Sequence, residues 1–196
     1  MRVLVATGNP DKLREVSEII AFPGLEITSL NDLGVKGPEE TSLTLRENAW
    51  IKATHGFRVS GIPTVAEDTG LFVDALGGMP GVFSSRFAGP GATYGDNRQK
   101  LLSLLEGVPF EKRRAWFTTV ACLTRNGEDF TFVEARAEGF ITREEQGKSG
   151  FGYDPVFLYA PMGRTFAELP PEVKNRISHR AKAFRIMKEI IKNAAF

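Results

Sequence analysis

The sequence predicts one mixed α/β domain with a long central sheet flanked by helices, and three observations point there. A short β-branched run, residues 2–6 (RVLVA), breaks into the turn formers Thr7-Gly8-Asn9-Pro10-Asp11 and is followed by helical spacing. A second apolar run, residues 63–66, delivers two carboxylates, Glu67 and Asp68, ahead of Thr69-Gly70. Two long β-rich runs flank Asn126-Gly127, the pattern of a hairpin.

In chain order, residues 2–6 read as a buried strand and residues 12–21 as a helix with Leu13, Val16, Ile19 and Ile20 on one face. Strand, Gly-containing turn and helix are the opening of an α/β unit. Thr44 and Glu47 have capping-box spacing, so a second helix starts there and turns Ala49, Ala53 and Phe57 inward. Residues 63–66 form a strand ending at Glu67-Asp68-Thr69-Gly70, residues 71–76 another short strand, and residues 77–81 (GGMPG) a loop. Residues 96–106 carry four leucines at helical spacing. Residues 115–124 and 129–141 form the hairpin strands, long enough to carry the sheet beyond a compact core. A last helix begins at Ser178 and buries Phe184, Met187, Ile190 and Ile191.

Composition narrows the class. The 196 residues are 42% hydrophobic and 25% charged, ordinary for a globular chain and unlike a disordered one. A single cysteine forms no internal disulfide, which favours a reducing compartment, the cytoplasm. No apolar run reaches the ~20 residues of a membrane span. The opening MRVLVATGNP turns polar too early for a signal peptide, so no membrane partner is expected. The net charge of +1 hides an asymmetry. From Lys174 onward there are seven basic residues and one acid, a net of +6, against −5 for everything before it. A broad nucleic-acid-binding surface is therefore not expected.

Several familiar sites fail on spacing. Gly147-Lys148-Ser149 resembles the tail of a phosphate-binding loop, but Thr142 stands where its first glycine is required. Gly150 and Gly152 open a GxGxxG that ends on Pro155. The two histidines, His55 and His179, make no zinc pair, and Ser84-Ser85 lacks the GxSxG frame. Cys122 lies inside an apolar strand run and reads as a core thiol.

What survives is a set of acidic pairs beside basic and amide-rich loops. Glu39-Glu40 and Glu67-Asp68 are carboxylates on separate segments, the donor type a hard cation such as Mg²⁺ requires. Asp68, at a strand end in an α/β sheet, occupies the usual place of a catalytic group. The Thr7–Lys12 loop offers a hydroxyl, an amide, backbone N–H groups and a helix N-terminus to phosphate, although helix capping explains Thr7 and Asn9 equally well. Phe151-Gly152-Tyr153-Asp154 joins stacking faces to a carboxylate. His179 and Arg180 stand at the start of the last helix, where the dipole disfavours cations, so they are expected to face a ligand.

Together these residues resemble the inosine/xanthosine triphosphate pyrophosphatases. Six blocks in family order carry the resemblance: TGNPDK from Thr7, EETSLTLRENAWIKA from Glu39, EDTGLFVDALGGMPG from Glu67, SSRF from Ser84, GFGYDP from Gly150 and KNRISHR from Lys174. The resemblance implies a Mg²⁺-dependent homodimeric hydrolase of deaminated purine nucleoside triphosphates, with a long twisted sheet flooring a cleft between two lobes. It implies that Thr7, Gly8, Asn9, Pro10, Asp11, Lys12 and Lys52 hold the triphosphate. Glu40 and Asp68 bind Mg²⁺, Asp68 is also the base for water, and Thr69 contacts substrate beside them. Phe151, Gly152, Tyr153, Asp154, Lys174, His179 and Arg180 form the base pocket. A non-hydrolysing nucleotide sensor is the alternative; it needs the same loops but no carboxylate poised like Asp68.

Overall fold

The structure is a computed structural model and describes residues 1–193. Its strands are β1 (Arg2–Val5), β2 (Glu26–Ser29), β3 (Thr64–Val73), β4 (Pro80–Gly81), β5 (Arg114–Thr124), β6 (Phe130–Ile141), β7 (Phe157–Tyr159) and β8 (Arg164–Thr165). The helices are α1 (Pro10–Ile20), α2 (Leu45–Ser60), α3 (Tyr94–Leu104), α4 (Pro171–Ile177) and α5 (His179–Asn193). The strands form one mixed sheet in the order β2-β1-β3-β5-β6-β7-β8, with β4 on β3.

The chain divides into two compact units. The first comprises Met1–Asp68, Thr119–Ala135 and the segment from Arg180 onward. Here β1 lies parallel to both neighbours, with Val3 opposite Ile27 of β2 and Leu4 opposite Thr64 of β3. Strand alternation sends Val3, Val5 and Val65 into a core with Val16, Ile19 and Ile20 of α1 and Phe184, Met187 and Ile191 of α5. Leu4 and Ala6 point the other way, toward α2. Gly56 of α2 lies so close that a methyl there would stand 2.7 Å from the Thr64 side chain and 3.0 Å from those of Leu4 and Ala6. The expected inward residues Ala49 and Ala53 are fully buried, and Phe57 is half-buried. Each helix start is locally specified: Asn9 caps α1 through its side-chain oxygen, and the Thr44 hydroxyl accepts from the Glu47 amide at the start of α2.

The second unit comprises Thr69–Thr118 and Arg136–His179. Its core gathers Leu71, Val73, Leu101, Leu105, Phe117, Phe157 and Phe166. A reciprocal Thr93–Asp96 capping box starts α3, two residues earlier than the leucine spacing predicts. Pro171 opens α4, where its missing N–H leaves no bond unmade.

Three expectations are corrected, the first being that residues 77–81 are all loop: Pro80 and Gly81 pair with Phe72 and Leu71 as β4. Glu67-Asp68-Thr69-Gly70 does not end a strand, and residues 71–76 are not a separate one. Instead β3 runs unbroken from Thr64 to Val73, and residues 74–76 form a single 3-10 turn. The reason is Gly70, which looks like a turn former in sequence but serves as a gap. A methyl at this position would stand 2.7 Å from the Gly81 carbonyl oxygen of β4, so the bare Cα is what lets β4 pair. Gly70→Ala is therefore expected to lower stability by about 1–3 kcal/mol, measured as a reduced urea midpoint. An unchanged midpoint would show that the strand yields freely.

The Asn126-Gly127 turn joins β5 and β6 as expected: the Asn126 side-chain oxygen accepts from the amides of Glu128 (3.0 Å) and Asp129 (2.8 Å). Cys122 is buried in β5, and burial pushes its thiol up to about 12, consistent with a packed and unreactive group. No helix among the described residues is long and apolar enough to cross a membrane.

Candidate active site

In the first unit, the alternation of β3 decides which partners each carboxylate meets. Glu67 shares the face of Val65 and Asp68 that of Thr64, so these adjacent acids enter different ion networks. Both are buried.

Asp68 meets α2. Its Oδ1 accepts from Lys52 Nζ at 3.0 Å and its Oδ2 from Asn48 Nδ2 at 3.2 Å. Asn48 and Lys52 are four residues apart and so project from one face of the helix. Lys52 Nζ also donates to Glu40 Oε1 at 2.6 Å, so one ammonium bridges carboxylates from the 39–44 loop and from β3. Burial works against the Lys52 charge, yet Asp68, Glu40 and Glu67 hold its pKa above the ordinary lysine value. Burial is likewise the main cause that pushes the Asp68 carboxyl above the usual carboxylate value, with Glu40 and Glu67 adding to it against Lys52 and Lys12. Glu40 is less buried; burial raises its carboxyl, but Lys52 and Lys12 prevail and hold it low.

Glu67 meets α1 and α5. Its Oε1 lies 3.1 Å from Lys12 Nζ and accepts from Arg180 Nη2 at 3.1 Å. Arg180 Nη1 donates to Glu15 Oε2 of α1 at 2.8 Å. Burial opposes the Arg180 charge, but Glu67 and Glu15 together raise its pKa further above the ordinary arginine value. Sequence reasoning set Arg180 against the helix dipole and looked to a ligand for relief. The structure supplies relief from within, since the guanidinium is only 2% exposed and is held by two carboxylates.

The Thr7–Lys12 loop follows β1. Thr7 Oγ1 accepts from the Asn9 amide at 3.1 Å, and Asn9 Oδ1 accepts from the amides of Asp11 (2.9 Å) and Lys12 (3.2 Å). These acceptors cap α1. Gly8 and Pro10 are exposed on the loop, and Asp11 pairs with Arg14.

In the second unit, Asp154 and Lys174 form a buried ion pair, and the Phe151 amide donates to Asp154 Oδ2 at 2.9 Å. The Lys174 ammonium lies 4.7 Å from the Phe151 ring centroid. Gly152 offers its carbonyl oxygen to Arg98 at 2.9 Å. The Tyr153 hydroxyl donates to the Ser84 carbonyl at 2.9 Å, and burial pushes the phenol pKa up. The buried His179 ring stacks on Phe117, with centroids 4.4 Å apart. Thr69 begins this unit on β3 and is half-buried.

Glu40, Lys52 and Asp68 are thus brought together, as are Phe151, Asp154 and Lys174. Sequence reasoning missed Glu15, Asn48 and the ion-pairing role of Glu67. A signal existed for Asn48 in its four-residue spacing from Lys52. Glu15 carried none beyond lying one turn after Lys12.

Residues 3–190 match the Ham1 family. A dITP/XTP pyrophosphatase from Photorhabdus laumondii is 45% identical over 195 residues, covering 98% of this chain and 99% of that protein. One from a Thermoanaerobacter species is 49% identical over 193 residues, covering 97% and 96%. Among solved structures, a HAM1 protein from Coxiella burnetii has a TM-score of 0.89 at 39% identity, covering 99% of this chain and all of that one. With the full-length match in sequence and fold, the chain belongs to the Ham1 family.

Proposed function

We propose that this chain is a nucleoside-triphosphate pyrophosphatase that hydrolyses the deaminated purine nucleotides ITP, dITP and XTP to the monophosphate and pyrophosphate. The observation that carries the reading is Asp68: a buried carboxylate with a raised pKa, next to a lysine and a second carboxylate from another segment. The relatives named dITP/XTP pyrophosphatase support it. The 196 residues act as one domain in this proposal, as a homodimer working in the cytoplasm, with neither nucleic acid nor membrane as partner.

The proposed metal is Mg²⁺, held by Glu40 and Asp68. Lys52 Nζ already sits between these two carboxylates as a cation, so their geometry suits positive charge. Among the described residues no cluster of three or more His, Cys, Asp or Glu side chains could hold a metal alone. A two-carboxylate set suits Mg²⁺, which completes its octahedron with water and substrate phosphate. When bound, the ion would neutralise phosphate charge.

The protein groups supply the rest. Asp68 orients a water and takes its proton as the water oxygen attacks phosphorus; the bond between the α- and β-phosphates breaks and pyrophosphate leaves. Lys12, Lys52 and the N–H groups of the Thr7–Lys12 loop stabilise the charge on the leaving group. Thr69 contacts substrate beside Asp68. Phe151, Tyr153, Asp154, Lys174 and His179 read the base, and Arg180 would donate to its 6-oxo oxygen from a guanidinium that Glu15 and Glu67 hold in place. Adenine presents an amino donor at that edge, where the 6-oxo purines present an acceptor, and so forfeits this hydrogen bond.

The test is a panel of ITP, dITP, XTP, GTP and ATP with Mg²⁺, scored for the phosphate product. Pyrophosphate is expected from the first three, with much slower turnover of ATP and loss of activity in EDTA. Binding without pyrophosphate release would identify a sensor, and orthophosphate as the product would overturn the proposed bond cleavage.

A further inference from the structure

We infer that Asn48 is a positioning residue that sets Asp68 and the Glu40 loop relative to one another; this rests on the reading of Asp68 and Glu40 given above. Asn48 is fully buried in the first turn of α2, four residues after the Thr44 cap. A buried amide must find partners, and Asn48 finds them on two segments at once. Its Oδ1 accepts from the Ser42 amide at 3.1 Å, and its Nδ2 donates to the Ser42 carbonyl at 3.3 Å. The same Nδ2 donates to Asp68 Oδ2 at 3.2 Å.

This division of labour is specific to an amide. Ser42 requires both an acceptor and a donor, and Asp68 requires a donor, so neither aspartate nor leucine meets all three demands. Lys52, one turn later, bridges Asp68 Oδ1 and Glu40. Asp68 is thereby held at each oxygen by a different donor, and its rotation about χ2 is fixed. The 39–44 loop is tied at Ser42 by Asn48 and at Glu40 by Lys52. Losing the amide frees one Asp68 oxygen and the Ser42 backbone, leaving Ser42 held through its hydroxyl on Glu47, while the Thr7–Lys12 loop and the second-unit residues keep their own bonds.

Two variants of the full chain test this. Asn48→Ala removes all three bonds. Asn48→Asp keeps an acceptor for the Ser42 amide but replaces the donor to Asp68 with a like charge. With ITP and Mg²⁺ at pH 8, Asn48→Ala is expected to lower kcat about 10–100-fold, the range for outer partners of metal-site groups, with KM within about threefold of the parent. Asn48→Asp is expected to fall at least as far. Mn²⁺ affinity of each variant, read by electron paramagnetic resonance with a non-hydrolysable nucleotide, gives a measure independent of turnover and is expected to change by a similar factor. Thermal melting identifies the folded protein for both measurements. The inference is overturned if folded Asn48→Ala keeps kcat and Mn²⁺ affinity within twofold, or if Asn48→Asp restores both, because anchoring Ser42 alone would then suffice. If the parent chain itself releases no pyrophosphate, the proposed function fails first, and the Mn²⁺ measurement still decides the placement.

Discussion

Asp68→Asn should cut pyrophosphate release from ITP by roughly 10²–10⁴-fold, the range general-base removal commands, while ITP binding stays close to the parent. The substitution keeps size and polarity but leaves no carboxylate to accept a proton. The proposed triphosphate loop, Thr7 to Lys12, and the residues proposed to read the base are untouched, so calorimetric titration with ITP should return a similar Kd. Wild-type turnover in this variant would remove Asp68 from the chemistry. Lost binding with lost turnover would recast it as a substrate-holding group. Its buried partners constrain the interpretation: Lys52 and Asn48 both donate to Asp68, and the new amide has only one oxygen for two donors. Some loss of stability is therefore expected alongside the loss of rate, and melting curves belong beside the kinetics.

The second large effect should fall on stability. Arg180→Met removes the cation shared by Glu15 and Glu67, both buried; Glu67 keeps Lys12 at 3.1 Å, while Glu15 loses its bond to the guanidinium. Breaking a buried pair from one side costs about 3–5 kcal/mol, mostly the penalty of the stranded charge. Equilibrium urea unfolding should show that loss. Adding Glu15→Gln to Arg180→Met should recover part of it, because a neutral amide is cheaper to bury than a stranded carboxylate. If Arg180→Met unfolds at the parent midpoint, the network contributes nothing net. Failure of the double variant to recover stability would mean that Glu67 carries the cost.

The contrast between these two residues shows what the sequence could reveal. The Thr44 cap, the Asn126-Gly127 turn and the inward stripe of α5 are local, written within a few residues of where they act, and each appears as expected. Glu40, Lys52 and Asp68 were singled out by residue type and motif, and the structure brings them together. Gly70 was misread because the same residue permits a turn or a close strand neighbour, and only β4, ten residues on, distinguishes them. Arg180 was correctly marked as needing compensation for its place at a helix start. Its compensating acids lie 113 and 165 residues away in the chain, beyond the reach of any local pattern.

That separation has a consequence for synthesis. Glu15 leaves the ribosome early, and Arg180 follows 165 residues later, an interval of about 8–33 s at ordinary elongation rates. Throughout that interval the nascent chain carries Glu15 of α1 and Glu67 of β3 without the Arg180 cation they share. It also lacks Phe184, Met187 and Ile191, the α5 side chains that complete the core around Val3 and Val5. The oldest part of the polypeptide is thus the last to close, and it does so in one event that delivers core side chains and counter-charge on the same helix. A ribosome stalled before residue 180 would present an open sheet face on which Glu15 and Glu67 lack the Arg180 guanidinium, a form suited to chaperone capture.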